Sequence, residues 1–123
     1  MTEIRLPFPP SVNQMFINNH GAGRGRRKSR EYRAWQDQAA WELKAQKVRP
    51  FENIVEVHID LDNTRRGDAD NRTKAVLDLL VGQNVLRGDS KRFVRRVSIG
   101  WEAITGCRVR ILKLNSRMET ENA

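Results

Sequence analysis

Apolar residues follow two rhythms along this chain, one of period two and one near 3.6. Ile4 and Leu6 sit on one side of a short extended run. Pro7, Pro9 and Pro10 stop that run, because proline fixes φ and has no amide to donate. Residues 18–27, NNHGAGRGRR, show no period and read as a Gly- and Arg-rich loop, mobile until it meets a partner. From Ser29 the rhythm becomes helical. Tyr32, Trp35, Ala39 and Leu43 recur on one face, Ser29 is placed to cap the helix, and Pro50 closes the segment after about Lys47. The run IVEVHIDLD then alternates, with Val55, Val57, Ile59 and Leu61 on one side and Glu56, His58, Asp60 and Asp62 on the other. This is the pattern of a half-buried strand.

A second helix is predicted from near Asp70 to Gly82, with Ala69, Thr73, Val76, Leu77 and Leu80 on a common face. Two further strands are readable at Val94–Trp101 and Cys107–Leu112, joined by a hairpin turn at Thr105–Gly106. Neither a repeat nor a linker interrupts this order. The expectation is a small single α+β domain with a mixed, mostly antiparallel sheet packed against helices. It spans residues 1–115, and residues 116–123 form a polar tail that frays.

Charge narrows the class. Lys and Arg number 23 against 15 acids, for a formal net charge of +8 and a pI near 10.5. The excess is concentrated. Arg24, Arg26, Arg27, Lys28, Arg30 and Arg33 form one cluster, and Lys91, Arg92, Arg95 and Arg96 form another. Arginine forks suit phosphate, whereas solubilising surfaces lean on Lys and Glu, so nucleic acid is the partner these clusters point to. Cys107 stands alone, which excludes a disulfide framework or a cysteine zinc site within one chain. His20 and His58 are far apart in sequence and read as surface or strand residues rather than metal ligands. No membrane-length apolar run and no signal-peptide pattern is present, so a soluble cytoplasmic protein is expected.

Against this basic background Asp68, Asp70 and Asp89 stand singly among arginines, lysines and glycines. Asp68 and Asp70 lie two residues apart at the predicted helix start, and Lys74 follows Asp70 by one helical turn. Asp89 comes after Gly88, where a reversal of the chain would carry it towards that helix start. Three convergent carboxylates repel one another unless a cation neutralises them, and a hard divalent cation with oxygen ligands does so. Such a metal serves phosphodiester hydrolysis, and Lys74 would offset charge developing on the phosphate. A plainer assignment makes Asp68 or Asp70 a helix cap and Asp70 with Lys74 an ordinary helix pair. Asp60 and Asp62 form a second D-x-D pair, on the polar face of the alternating strand, where exposure to solvent or a partner is expected.

The run DADNRTKAVLD, followed eleven residues later by Asp89, resembles the core signature of the RusA-type Holliday junction resolvases. That signature reads D-x-D-N-x-x-K with a later Asp. The opening LPFPPSVNQMF resembles the family's Pro-Pro-Ser-x-Asn start. Together the two motifs span nearly the whole chain. The resemblance implies a small homodimeric α+β endodeoxyribonuclease that resolves four-way (Holliday) DNA junctions with Mg2+, in DNA recombination and repair. It makes Asp68, Asp70 and Asp89 the acidic metal-site positions, Lys74 the catalytic lysine and Asn71 a motif position of open role. Gly67 and Gly88 depart from the family, which carries a basic residue and often an acid there. Arg65 or Arg66 then becomes the phosphate contact. The DNA-binding set is accordingly Arg24, Arg26, Arg27, Lys28, Arg30, Arg65, Arg66, Lys91 and Arg92. A dimer would also cover Phe8, Phe16, Trp41 and Trp101. The competing class is a basic nucleic-acid-binding module without catalysis, which requires neither Lys74 at its spacing from Asp70 nor the later Asp89.

Overall fold

The computed structural model describes residues 1–19 and 25–114, so His20, Arg24 and the C-terminal tail lie outside the described residues. In chain order the elements are β1 (Thr2–Leu6), α1 (Val12–Met15), β2 (Phe16–Asn19), β3 (Gly25–Lys28) and α2 (Arg30–Ala45). Then come β4 (Val55–Asp62), a 3-10 turn (Asp70–Arg72), α3 (Thr73–Gly82), β5 (Val94–Glu102) and β6 (Cys107–Lys113). A four-stranded sheet has the order β1-β6-β4-β5, and β2 pairs with β3 in a separate ladder. β4 and β5 are parallel while the other pairs are antiparallel, so the sheet is mixed, as the α+β expectation requires.

The helices and the sheet share one core. Tyr32, Trp35, Ala39 and Leu43 of α2 are buried with Ile4, Val57, Ile59, Val109 and Ile111 of the strands. Ser29 caps α2 as its position predicts, accepting from the Tyr32 amide at 3.0 Å. At the other end the Gln46 amide group brackets Arg5 of β1, donating to its carbonyl and accepting from its N–H, both at 2.7 Å. The apolar row Val55, Val57, Ile59 and Leu61 is buried, and each such side chain contributes about 1.5–3 kcal/mol.

Several expectations are corrected. The Thr105–Gly106 turn does not close a hairpin, because β4 lies between β5 and β6. β4 is flanked on both sides, a demand of its burial that no local turn rule registers. Gly106 instead packs on β1 with φ +73, and a Cβ there would come within 2.8 Å of the Leu6 carbonyl oxygen. Part of the Gly- and Arg-rich stretch is ordered, since Phe16–Asn19 pair with Gly25–Lys28. All four β3 residues are exposed and none is apolar beyond Gly25, so no apolar period marks the strand. The buried face of α3 is Ala75, Val76, Leu79 and Leu80, with Thr73 and Leu77 half-buried. The 3-10 turn before the helix has three residues per turn, which shifts the phase of a pattern counted from Ala69. Trp41 is 75% exposed, whereas Phe8, Phe16 and Trp101 are half-buried against the core.

Asp60 and Asp62 are buried rather than exposed. Asp60 accepts from Arg108 Nε at 2.8 Å and Arg110 Nη2 at 3.2 Å on the neighbouring strand. Asp62 accepts from the Thr64 hydroxyl at 2.7 Å, the Thr64 amide at 3.0 Å and the Gly106 amide at 3.3 Å. The Thr64 bonds, hydroxyl first, hold its carboxyl below the usual carboxylate range. This second D-x-D ties strands and turns together.

Candidate active site

The chain leaves β4 through a loop whose base is fixed by Asp62 and by the Asn63 amide, which donates to the Glu102 carbonyl at 3.0 Å. Arg72 secures the far side. Its Nη1 donates to the Pro9 carbonyl at 2.7 Å and its Nη2 to the Arg66 carbonyl at 3.1 Å. Gly67 lets the guanidinium in, since it has φ +117 and a Cβ there would lie 2.7 Å from Arg72 Nη2. Phe8 is the platform beneath. Arg65 and Arg72 stack on its ring at 4.4 and 4.6 Å, and Trp101 lies 6.3 Å away, nearly parallel. Burial, with the neighbouring Arg65, lowers the Arg72 pKa. Arg72 is the residue the sequence reading missed, and Phe8 and Trp101, expected as surface for a dimer to cover, support the loop instead. Only the Pro-Phe-Pro-Pro run hinted at a rigid platform, and no local pattern links residue 8 to residues 65 and 72.

This lock presents Asp68 and Asp70 to solvent. Neither plain assignment for them holds. The 3-10 turn and α3 have Ala69 and Arg72 at their N-cap positions, with no side-chain cap bond at either. Lys74 pairs with Asp78 at 3.1 Å instead of with Asp70. Among the described residues, Asp68 and Asp70 make no ion pair. Asn71 is half-buried beside them.

Asp89 lies elsewhere. The expected reversal does not return it to the helix start. The turn carrying it is fixed by the Phe93 and Val94 amides, which both donate to the Ser90 carbonyl at 2.9 Å. Val94 pairs with Val55, at the start of β4, and Arg87 reaches Glu52 at 3.3 Å. Asp68 and Asp70 follow the opposite end of β4, where Leu61 pairs with Trp101. The six strand steps from Val55 to Leu61 at ~3.3 Å each separate the two ends by roughly 20 Å. Accordingly, no group of three His, Cys, Asp or Glu among the described residues is placed to hold a metal ion.

The basic residues fall into patches around these ends. Arg26, Arg27, Lys28 and Arg30 are exposed on β3 and the start of α2, with Arg26 over the Phe16 ring at 4.8 Å and Lys28 over Tyr32 at 5.7 Å. Arg65 and Arg66 flank Asp68, and Lys91 and Arg92 flank Asp89. None of these eight is in an ion pair among the described residues. Arg96, by contrast, leans on Glu56 at 3.9 Å. His58 is engaged by Glu56 at 3.2 Å and by Ser98, as a strand residue would be. A cleft of about 410 Å3 lies beside the first basic cluster, lined by Asn13, Gln14, Phe16 and Glu31 among others, with none of the three aspartates in its lining.

The signature of endodeoxyribonuclease RusA matches residues 7–112, a stretch that includes this acidic loop and Asp89. The chain belongs to the RusA endodeoxyribonuclease family. No curated protein matches it. RusA endonucleases resolve Holliday junctions, hydrolyse the DNA backbone and depend on a divalent metal. The chain is therefore an enzyme, and the non-catalytic binding module is set aside. Among the described residues no helix is long and apolar enough to cross a membrane.

The donor chemistry suits such a metal, since exposed carboxylates are hard oxygen ligands that leave room for water and phosphate. The geometry of one subunit does not. Carboxylates sharing a cation have oxygens about 2.1 Å from it and hence roughly 4 Å from one another, whereas Asp89 precedes one end of the β4–β5 pair and Asp68 and Asp70 follow the other, ends roughly 20 Å apart. Among the described residues of this chain, the three aspartates do not close one site.

Proposed function

We propose that this RusA endonuclease makes paired, Mg2+-dependent cuts in four-way DNA junctions. In this reading Asp68, Asp70 and Asp89 are the acidic residues of the centre and Lys74 is its cation. The observation that supports it most directly is the Asp68–Asp70 pair, exposed and unspent on a loop that Arg72 and Phe8 hold in place. Bare acids beside Arg65 and Arg66 would repel phosphate unless a cation intervened. Mg2+, when bound, supplies Lewis acidity towards phosphate and water.

Lys74 is half exposed, and its pair with Asp78 is a surface i,i+4 contact of about 0.3–0.5 kcal/mol. Exchanging that contact for a phosphate oxygen costs little, and the ammonium then offsets charge developing on the scissile group. Arg65 and Arg66 position the backbone near the pair, while Arg26, Arg27, Lys28, Arg30, Lys91 and Arg92 hold the arms.

The test is nicking of a synthetic four-way junction with and without Mg2+ by the wild type and by Asp68→Asn, Asp70→Asn and Asp89→Asn. Each variant is expected to lose cleavage and keep binding, because an amide ligates Mg2+ poorly yet adds no negative charge facing phosphate. Near-normal cleavage by any one variant eliminates that residue from the centre. Wild type that leaves the junction whole in Mg2+ refutes the reading.

A further inference from the structure

We infer that the cleft beside the first basic cluster takes one unpaired nucleobase of the bound DNA, which Glu31 and Asn13 read by its edge. The inference rests on the reading that branched DNA is the substrate, and it adds a specificity site to that reaction. The cleft measures about 410 Å3, within the range of ~300–1,000 Å3 found for clefts that hold small organic groups. Its frame is fixed by the fold. Ser29 accepts from the Tyr32 amide at 3.0 Å and donates to the Gln14 carbonyl at 2.5 Å, so α1 and α2 meet at its base. The Ser29 amide donates to the Met15 carbonyl at 2.8 Å, and Gln14 Oε1 accepts from the Ser11 amide at 3.1 Å.

The lining has the parts a base requires. Phe16 and Ile17 give it an apolar wall, and Ile17 is 42% exposed, so that surface is not spent on the core. Asn13 brings an amide that both donates and accepts. Glu31 brings a carboxylate that makes no ion pair among the described residues. Amid Arg27, Lys28, Arg30 and Arg33 such an acid repels phosphate but accepts from the exocyclic amino group of a base. Glu31 also complements the dipole of α2 in its first turn, a task that requires neither the cleft nor its apolar wall. The cations suit the phosphates of the same nucleotide. Lys28 pairs with Phe16 and Arg27 with Ile17 across the β2–β3 ladder, and Arg30 precedes Glu31. The cleft also has a place relative to the acidic loop. α1, which carries Asn13 and Gln14, packs against the 3-10 turn that begins at Asp70, and Arg72 of that turn donates to the Pro9 carbonyl. A base held there belongs to a nucleotide near that loop. At a branch point a pair lacks a stacked neighbour, so a base leaves its stack there at least cost.

The test measures affinity in EDTA, with no need for cleavage, for four-way junctions that lack one base in turn at each nucleotide flanking the branch. The wild type should lose about five-fold or more at one position, the lower end of what a single stacked base contributes. Ile17→Ala and Glu31→Gln, both changes to exposed side chains, should flatten the profile at that position. Base identity gives a second readout. With the base present and its complement matched, the wild type should favour A, C or G there over T, which has no exocyclic amino group. Glu31→Gln should lose that preference, because an amide donates as well as accepts. A wild-type profile that is flat across the branch overturns the inference. So does a loss that both variants keep in full, since the base is then read elsewhere. Wild type that shows the profile yet fails to cut junctions in Mg2+ counts against the proposed function alone, because binding still reports the cleft.

Discussion

Arg72 shows how one residue serves the site without belonging to its chemistry. Its guanidinium joins the Pro9 segment to the acidic loop, and Arg72→Ala leaves the Pro9 and Arg66 carbonyls without their donors. The expected cost is about 2 kcal/mol in thermal unfolding, with a larger loss in cleavage rate than in junction affinity, because the aspartates lose position before the arginine patches do. Gly67→Ala should reproduce the rate loss, since its Cβ meets a guanidinium that two hydrogen bonds hold in place. Asp62 predicts a pH effect. Its folded-state pKa is lowered, so its stabilisation is complete above the ordinary carboxylate range and is lost as pH falls through that range to the lower value. Denaturant unfolding from pH 6 down to pH 3 should therefore show a shallower acid decline for Asp62→Asn than for the wild type.

At the scale of elements, the β2–β3 ladder carries much of the electrostatics. Arg26 and Arg27 stand on an exposed strand and Arg30 opens α2, none of them in an ion pair among the described residues. If each neutralises one duplex phosphate, replacing all three should flatten the log–log salt dependence of binding by up to about 2.7 units. The change should be similar for junction and duplex, because phosphate contacts position without reading sequence. Titrations across a range of salt that return an unchanged slope would move the interface to Lys91 and Arg92. α3 has a different task. It is the spacer whose length sets the distance between the two acidic ends.

At the scale of the molecule, the proposed paired cuts call for two sites, which a two-fold pair of chains would supply. On a supercoiled cruciform plasmid the wild type should give linear product within a single binding event, because the second nick need not await a second encounter. Cleavage should also fall with the square of protein concentration once dilution separates the subunits, which a dilution series followed alongside sedimentation would show. A first-order decline, with monomer as the active species, would contradict a dimer as the cutting species.

How much of this was legible beforehand depended on the range of the interactions. The α2 face of Tyr32, Trp35, Ala39 and Leu43, the Ser29 cap and the alternating row of β4 follow from period and punctuation, which are local properties. The motif residues Asp68, Asp70, Asn71, Lys74 and Asp89, and the basic clusters, were readable as residue types at set spacings. Tertiary structure decided the remainder. It buried Asp60 and Asp62 because arginines of β6 and the Thr64–Gly106 turns had partners to offer. It set β4 between β5 and β6, a choice made by burial on both sides rather than by the turn at Gly106. It also placed Asp89 at the far end of the crossover from Asp68 and Asp70. Sequence spacing counts residues between two groups, but a helix and a strand convert that count into a direction, and here the direction leads away.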